Sequence, residues 1–183
     1  MLYGDLDGDG NEEIVVASRK RVVPPGAFLP QQFLDVFGFD GSSYVRVFAA
    51  TEGAPPGHGA PDQMIATPRP VAVSQQIDFL ELVDFRRDRS PEVAVGILTI
   101  GAAAGPLDVW VVSADRGWRT ELFEATQSDG RLAVVGNRLL LDTGSYAPSD
   151  PQCCPSRIEH QVIGFDRATG RITILRRTFT PAT

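Results

Sequence analysis

Short apolar stretches separated by turns rich in Gly and Pro run along the whole chain, and their periodicity predicts strands. Residues 34–39 alternate between two faces, with Asp35, Phe37 and Phe39 on one of them. Residues 92–100 are almost continuously apolar, as expected for a central strand that is buried on both faces. Because we find no convincing amphipathic helix pattern, the sequence predicts an all-β fold.

Two segments of the chain repeat the same plan roughly 75 residues apart, a kind of period that indicates arrays or propeller-like assemblies. In each segment, acidic residues occupy the first, fifth and ninth places, and an apolar stretch follows. These residues are Asp5, Asp9 and Glu13 in the first segment and Asp84, Asp88 and Glu92 in the second. Further along, residues 34–37 match residues 107–110, and each match leads through a turn into another strand.

A third, degenerate unit has two strand hairpins but no acidic segment. We therefore predict a single β-rich domain over residues 1–183, with repeat units at about 1–50, 71–125 and 129–178 and a Pro/Gly-rich loop at 50–70. Each unit is expected to be an antiparallel, blade-like meander. Since three units are too few to close an ordinary propeller, we expect a partial propeller-like or a sandwich-like arrangement, or a piece of a longer chain.

Charge and hydropathy exclude several classes of function. The chain carries a formal net charge of −6 and its basic runs are short, so a nucleic-acid partner is not expected. No apolar run reaches the roughly 18 residues that a transmembrane helix needs. The first acidic segment follows Met1 almost at once, and we expect a signal or lipid anchor upstream of it. This indicates an extracytoplasmic location, either secreted or anchored in the cell envelope.

The first acidic segment has the residue types and spacing of a calcium-binding loop. Asp5, Asp7 and Asp9 alternate, and Glu13 stands at the ninth place. Ca²⁺ takes about six to eight oxygen ligands, and the carbonyl at the seventh place, Asn11, can supply another. Without a cation, the crowded carboxylates should repel one another and raise their pKa values. The alternative is a polar Asp-Gly turn that binds no ion.

The segment is not an EF-hand, because its twelfth place is Val16 within a β-branched run and not a bidentate Glu. Residues 5–16 resemble the calcium loops of the FG-GAP and VCBS repeat families, in which a similar Asp- and Gly-rich loop enters a strand, with Asp usual at the ninth place. The resemblance implies blade-like β-units, surface-exposed roles and a bound calcium ion. The implied ligands are Asp5, Asp7, Asp9, Asn11 (through its carbonyl) and Glu13.

The second acidic segment departs from this pattern and is expected to bind no metal. Arg86 replaces the ligand at the third place, and a further arginine replaces a glycine of the loop. We expect the Arg86 side chain to occupy the place of the cation and to pair with Asp84, Asp88 or Glu92.

The only two cysteines, Cys153 and Cys154, are adjacent in the sequence. Neighbouring Cα atoms are about 3.8 Å apart across a trans peptide, whereas a disulfide usually spans about 4.4–6.8 Å. A vicinal disulfide is therefore strained but feasible, and two free thiols are the alternative. Residues 146–175 resemble actinobacterial lipoproteins of the LppP/LprE type, which agrees with export to the cell envelope.

No catalytic constellation emerges from the remaining residues. Residues 140–145 resemble the aspartic-protease signature, but that enzyme needs two such aspartates and the chain has one copy. His58 and His160 stand alone, and a carboxylate pair such as Glu81 and Glu121, which a glycosidase would need, has no supporting motif.

The expected function is that of a calcium-binding, non-enzymatic, extracytoplasmic structural or interaction module, whose partner is a protein or polysaccharide at the cell surface. The alternative is a hydrolase that acts on an envelope polymer and holds calcium only for stability. A flat aromatic or loop surface would favour the first function. A cleft with two carboxylates away from residues 5–13 would favour the second.

Overall fold

The computed structural model describes residues 1–20, 31–51, 74–100, 105–126, 128, 130–151 and 153–182. Their regular structure consists of twelve strands, which confirms the all-β prediction. The strands are β1 (Leu2–Gly4), β2 (Glu13–Lys20), β3 (Gln31–Phe39), β4 (Tyr44–Thr51), β5 (Ser74–Val83), β6 (Glu92–Ile100), β7 (Leu107–Ser113), β8 (Arg119–Glu124), β9 (Gly130–Val135), β10 (Arg138–Ser145), β11 (Arg157–Asp166) and β12 (Arg171–Pro181). In the described ranges, no helix is long and apolar enough to span a bilayer. The predicted loop at 50–70 lies outside them apart from its first two residues.

The strands form three separate antiparallel sheets of four strands each. The first sheet contains β1 to β4, the second β5 to β8 and the third β9 to β12, and strands that follow each other along the chain are hydrogen-bonded neighbours. Antiparallel neighbours need no crossover connection, so each unit is a simple meander. The prediction of three antiparallel, blade-like units is confirmed.

A β-bulge between the third and fourth strands recurs in every sheet and aligns the three units. The register shifts directly after Val36 in β3, Val111 in β7 and Val162 in β11. The residues that follow the shift pair with the second strand of their own sheet, as Phe37 with Ile14, Val112 with Val93 and Ile163 with Leu139. The degenerate third unit therefore follows the same plan as the other two.

This register corrects one detail of the predicted repeat. The sequence match placed Phe37 opposite Trp110, whereas the shared bulge makes Val112 the equivalent of Phe37. The two choices differ by two residues, and strand side chains alternate with a period of two. The prediction of which residues share a face is therefore unaffected.

The second sheet lies between the first and the third and is covered on both faces. Val93 and Val95 of β6 belong to the core shared with the first sheet, and Ala94 belongs to the core shared with the third. All three side chains are fully buried. This explains the continuous apolar run in residues 92–100 and confirms that this strand is buried on both sides.

The three units stack in the same sense. Leu6 and Val15 of the first unit face the second sheet, while their equivalents in the second unit, Phe85 and Ala94, face the third sheet. Each sheet therefore has a forward face, directed toward the next unit, and a back face, directed toward the preceding unit. Radial repetition of small sheets in this manner is the packing of propeller blades.

Gly96 of β6 lies where the third sheet approaches, so replacing it with alanine should destabilise the fold. An added Cβ would lie 2.6 Å from Leu132 Cδ1 and 3.0 Å from Phe79 Cβ. We expect Gly96→Ala to lower the free energy of unfolding, measured by urea denaturation, by about 1–3 kcal/mol. In a Leu132→Ala background the same substitution should cost less, because one clash is gone. An unchanged cost would contradict this packing.

Candidate metal centre

The loop between β1 and β2 is folded around the carboxylate of Asp5. Asp5 Oδ1 accepts a hydrogen bond from Gly8 N at 2.8 Å, and Oδ2 accepts one from Gly10 N at 3.2 Å. Gly8 and Gly10 have φ angles of +79° and +89°, a region that favours glycine. This local geometry directs the acidic side chains of the loop toward one another.

Three carboxylates converge at this loop. One oxygen each of Asp5, Asp7 and Glu13 lie within 4.8 Å of one another. Glu13 is only 1% exposed, whereas Asp5 is half-buried and Asp7 is exposed. Such a set of hard oxygen donors suits a divalent cation. In the part of the chain that the structure describes, this is where side chains gather at metal-ligand spacing.

Glu13 is the first residue of β2, and its burial makes its negative charge costly. Its Oε2 accepts a hydrogen bond from Leu6 N at 2.6 Å, which ties the beginning of the loop to its end. Burial raises the pKa of Glu13 above its usual value; the Leu6 N–H acts against this, and the charges of Asp7 and Asp9 add to it. The sequence predicted that the crowded carboxylates would have raised pKa values. This is confirmed at Glu13, where burial contributes most, and it is wrong for Asp9, whose pKa is lowered.

The other two predicted ligands, Asp9 and Asn11, are turned toward each other. Asp9 Oδ1 accepts a hydrogen bond from Asn11 N at 2.7 Å, and Oδ2 accepts one from Asn11 Nδ2 at 3.1 Å. These two hydrogen bonds hold the pKa of Asp9 below its usual value, and the bond from the Asn11 backbone N–H contributes more than the bond from its side chain. The structure thus brings together three of the five predicted ligands, and the roles of Asp9 and of the Asn11 carbonyl stay predictions.

The loop between β5 and β6 shares two backbone-to-carboxylate hydrogen bonds and two positive φ angles with the first loop. Asp84 Oδ2 accepts a hydrogen bond from Arg89 N at 3.2 Å, and Glu92 Oε2 accepts one from Phe85 N at 3.1 Å. Arg87 and Arg89 have φ angles of +63° and +76°, although they stand where the first loop has glycine. The two acidic segments are therefore one structural unit that occurs twice.

Arg86 brings a cation to the third place of this second loop. Its side chain is 10% exposed and forms an ion pair with Glu92, the equivalent of Glu13. Its Nη2 also donates to both carboxylate oxygens of Glu121, at 2.7 and 2.6 Å, and lies 3.5 Å from Asp115 Oδ2. The predicted pairing is confirmed for Glu92. The other two predicted partners accept backbone N–H groups of the loop.

The pairing of Glu121 with Arg86 could not be found from the sequence, because the position of Glu121 depends on the bulge. It is the extra residue of the bulge in β8, and Val47 is the extra residue at the same place in β4. The second unit therefore combines Arg86 with Glu121, and the first unit combines Asp7 with Val47. Between the two repeats, Asp7 changes to Arg86 and Val47 changes to Glu121. With the register known, this joint change would have identified Glu121 as the partner of Arg86.

Cys153 and Cys154 form a vicinal disulfide in the connection between β10 and β11. Asp150 holds this connection, since its Oδ2 accepts hydrogen bonds from Ala147 N at 2.7 Å and from Ser156 N at 2.8 Å. The side chain of Ser156 and these N–H groups keep the pKa of Asp150 below its usual value. The structure has the cysteine pair in its bonded form, and its redox state in solution stays a prediction.

Alkylation of the unfolded but unreduced protein is expected to leave both cysteines unmodified, and alkylation after reduction should modify both. Mass spectrometry of the intact chain measures the difference. The protein should be produced by export, because disulfides persist in oxidising compartments. Two modified cysteines without reductant would favour the alternative of free thiols.

Asp142, part of the protease-like motif, lies in β10 and pairs with a histidine on the next strand. Asp142 Oδ1 is 2.7 Å from His160 Nδ1, and His160 Nε2 is 2.8 Å from Thr180 Oγ1. The side chains of Asp142 and His160 are 51% and 37% exposed. This row of polar groups crosses an exposed sheet face. The sequence analysis found no partner for His160, and the structure gives it Asp142 and Thr180.

The carboxylate pair considered for glycoside hydrolysis is not arranged for it. Glu121 is bound by Arg86 and by Arg119 Nη2, the latter at 2.8 Å. Glu81 is exposed on β5. His58 lies outside the described residues.

No protein-family model matches the chain, and no curated protein shows a significant sequence match to it. The resemblances to FG-GAP and VCBS loops and to LppP/LprE lipoproteins therefore stay predictions. Function is inferred from the geometry of the two loops.

Proposed function

We propose that the chain is a calcium-binding, non-enzymatic module of the cell envelope or the extracellular space, and that residues 5–13 hold the ion. The observation that carries this proposal is one loop present twice, with opposite charges at its third place. In the second loop, Arg86 neutralises the buried Glu92. In the first loop the third residue is Asp7, and among the side chains that the structure describes, no arginine or lysine pairs with the equally buried Glu13. An external cation would supply the charge that Arg86 supplies in the second loop.

The donor set favours calcium among the divalent cations. Carboxylates without nitrogen or sulfur ligands suit hard ions such as Ca²⁺, Mg²⁺ and Mn²⁺. Ca²⁺ accepts about six to eight oxygens in a flexible geometry, whereas Mg²⁺ demands a nearly ideal octahedron. In the proposed site, Asp9 would give up its bonds to Asn11 to bind the ion, and the Asn11 carbonyl and water would supply further oxygens.

A bound ion would stabilise the packing of the first sheet on the second. Glu13 begins β2 and holds the N–H of Leu6. The Leu6 side chain is 3% exposed and belongs to the core between these sheets. Neutralising the carboxylates therefore supports the loop that carries this core residue, which favours a structural role for the ion.

The partner surface of the proposed module lies at the strand ends, where the β1–β2 loop adjoins the β5–β6 loop. A Cβ added to Gly8 would lie 2.9 Å from Ser90 Oγ, so the first loop adjoins the second. Arg87 Nη2 of the second loop donates to Asn137 Oδ1 in the β9–β10 turn at 2.9 Å. This continuous loop surface supports binding of a protein or polysaccharide at the cell surface. A Cys153–Cys154 disulfide that persists in solution would support an oxidising location.

Isothermal titration of chelator-stripped protein tests the calcium proposal. We expect one Ca²⁺ per chain, with much weaker uptake of Mg²⁺. The absence of stoichiometric uptake would refute the site, and preferred uptake of Mg²⁺ or Mn²⁺ would refute the assignment to calcium. Two calcium ions per chain would contradict the view that Arg86 is the cation of the second loop.

A further inference from the structure

The back face of the first sheet carries a cluster of partly exposed apolar side chains, with the Asp35–Arg46 ion pair beside it. Tyr3, Ile14 and Phe37 pair across β1, β2 and β3 and form a row on this face. Beside the row, the rings of Phe39 and Tyr44 pack with their centroids 5.5 Å apart. Tyr3 is 53% exposed, and Tyr44 is 48% exposed. Contiguous apolar patches of this kind mark sites where another molecule binds.

The second sheet shows what covers a back face in this protein. Ile14 and Phe37 are the equivalents of Val93 and Val112, which pair at the corresponding place in the second sheet. Both valines are fully buried in the core formed with the first sheet, against its forward face. The matching cover for a back face is therefore the forward face of another unit.

The third sheet presents such a forward face. Leu139 and Ile163 pack against the second sheet, so strand alternation places Leu140 and Val162 on the opposite side. Leu175, the extra residue of the bulge in β12, lies on this side and is 40% exposed. On this side Val162 is buried, Leu140 is half-buried and Leu175 is exposed, and the Asp142–His160 pair lies on the same face. One chain therefore has a back face at one end of its stack and a forward face at the other that no further sheet of the described residues covers.

The first and third units also carry formal net charges of opposite sign. Residues 1–51 contain seven acidic and four basic residues, whereas residues 130–182 contain four acidic and seven basic residues. A calcium ion bound at the first unit would reduce its negative charge without reversing it. Complementary charge favours the approach of the third unit of one copy to the first unit of another.

We propose that two copies of this chain close into a ring of six units, with the third sheet of each copy packed on the first sheet of the other. Propellers close with about four to eight units, so six suffice where three do not. A two-fold axis makes the two junctions identical and covers both exposed end faces of each copy. The proposal does not depend on the calcium site.

Sedimentation equilibrium at a fixed calcium concentration tests the ring. The expected mass is that of a dimer of the 19.8 kDa chain. A single-chain mass at all concentrations would show that the end faces do not bind each other. A mass that grows beyond the dimer would show stacking without closure. Either result overturns the ring.

Substitutions at the two end faces locate the junction. Tyr3→Lys on the back face and Leu175→Glu on the forward face are each expected to weaken dimerisation about tenfold or more, because each homodimer carries the change at both junctions. Phe123→Lys is the matched control, since Phe123 is 40% exposed on the edge strand of the second sheet. An equal effect of the control would contradict the proposed junction.

Mixing the two weakened variants distinguishes a junction between a forward face and a back face from a dimer in which two back faces bind each other. A mixed dimer has both substitutions in one junction and wild-type composition in the other. A second substitution adds little to the cost of a junction that is already broken, so the mixed dimer loses one junction where each homodimer loses two. The mixture should therefore dimerise more tightly than either variant alone. If back faces bound each other, Leu175→Glu would have no effect and mixing would restore nothing. Because a misfolded variant could not rescue its partner, restored binding also shows that both variants are folded.

Discussion

Replacing Arg86 with methionine is expected to lower the free energy of unfolding by about 3–5 kcal/mol. The substitution leaves the Glu92 carboxylate buried without its cation and removes the bidentate pair with Glu121. Methionine retains an apolar stem, so the loss reports mainly the missing charge. Urea denaturation at a fixed calcium concentration would resolve this change, since a typical total stability is about 5–15 kcal/mol.

Arg177→Met is the matched control for this substitution. Arg177 also contacts two carboxylates, those of Glu124 at 2.8 Å and Glu159 at 2.7 Å, but its side chain is 45% exposed. Exposed ion pairs contribute about 0–1 kcal/mol, so the control should change little. Adding Glu92→Gln to Arg86→Met should recover part of the loss, because the buried group is then neutral. Equal losses in both arginine variants would contradict a buried pair.

Asp7→Ala is expected to lower the melting temperature by about 5–10 °C when calcium is at 100 times its Kd, and to change it little in chelator. At that concentration, binding contributes about 2.7 kcal/mol, and each kcal/mol shifts a chain of this size by about 2–4 °C. In chelator, Asp7 is an exposed carboxylate whose negative charge repels that of Glu13. Removing it relieves this repulsion, so no stability is lost. Scanning calorimetry measures both conditions.

Asp40→Ala is the control for the calcium dependence. Asp40 also begins an Asp-Gly turn, and its Oδ1 accepts hydrogen bonds from Ser42 N and Ser43 N, each at 2.9 Å. Hydrogen bonds from these two serines hold the pKa of Asp40 below its usual value, and the bond from the Ser43 N–H contributes most. Its loss should therefore be the same with calcium and with chelator. If Asp7→Ala behaved in this way too, it would count against the metal centre.

The strands could be predicted because local patterns determine them, whereas their register could not. Alternation in residues 34–39 and the apolar run in residues 92–100 indicated which faces are buried. The match of Phe37 with Trp110 relied on similar neighbouring residues, and the pairing with the second strand shows that Val112 is the equivalent residue. A bulge adds one residue to a strand without a clear signal in composition.

The candidate metal centre was predictable to the extent that it is local. Asp5 and the glycines of its loop define a turn that brings Asp7 and Glu13 together within nine residues. Glu121, by contrast, reaches Arg86 from a sequence separation of 35 and depends on how the sheet folds. The Asp9 carboxylate can accept hydrogen bonds from Asn11 or bind an ion. The residue types alone do not determine which of the two it does.

The recurrent bulge also protects the outermost strands β4, β8 and β12, each of which is the last strand of its sheet. An unbroken row of edge N–H and C=O groups can template the addition of a strand from another molecule. The extra residue interrupts that row and increases the local twist. Continuous growth of the sheets into amyloid-like fibres is thereby hindered at the same point in all three units, although the strands themselves are rich in β-branched residues.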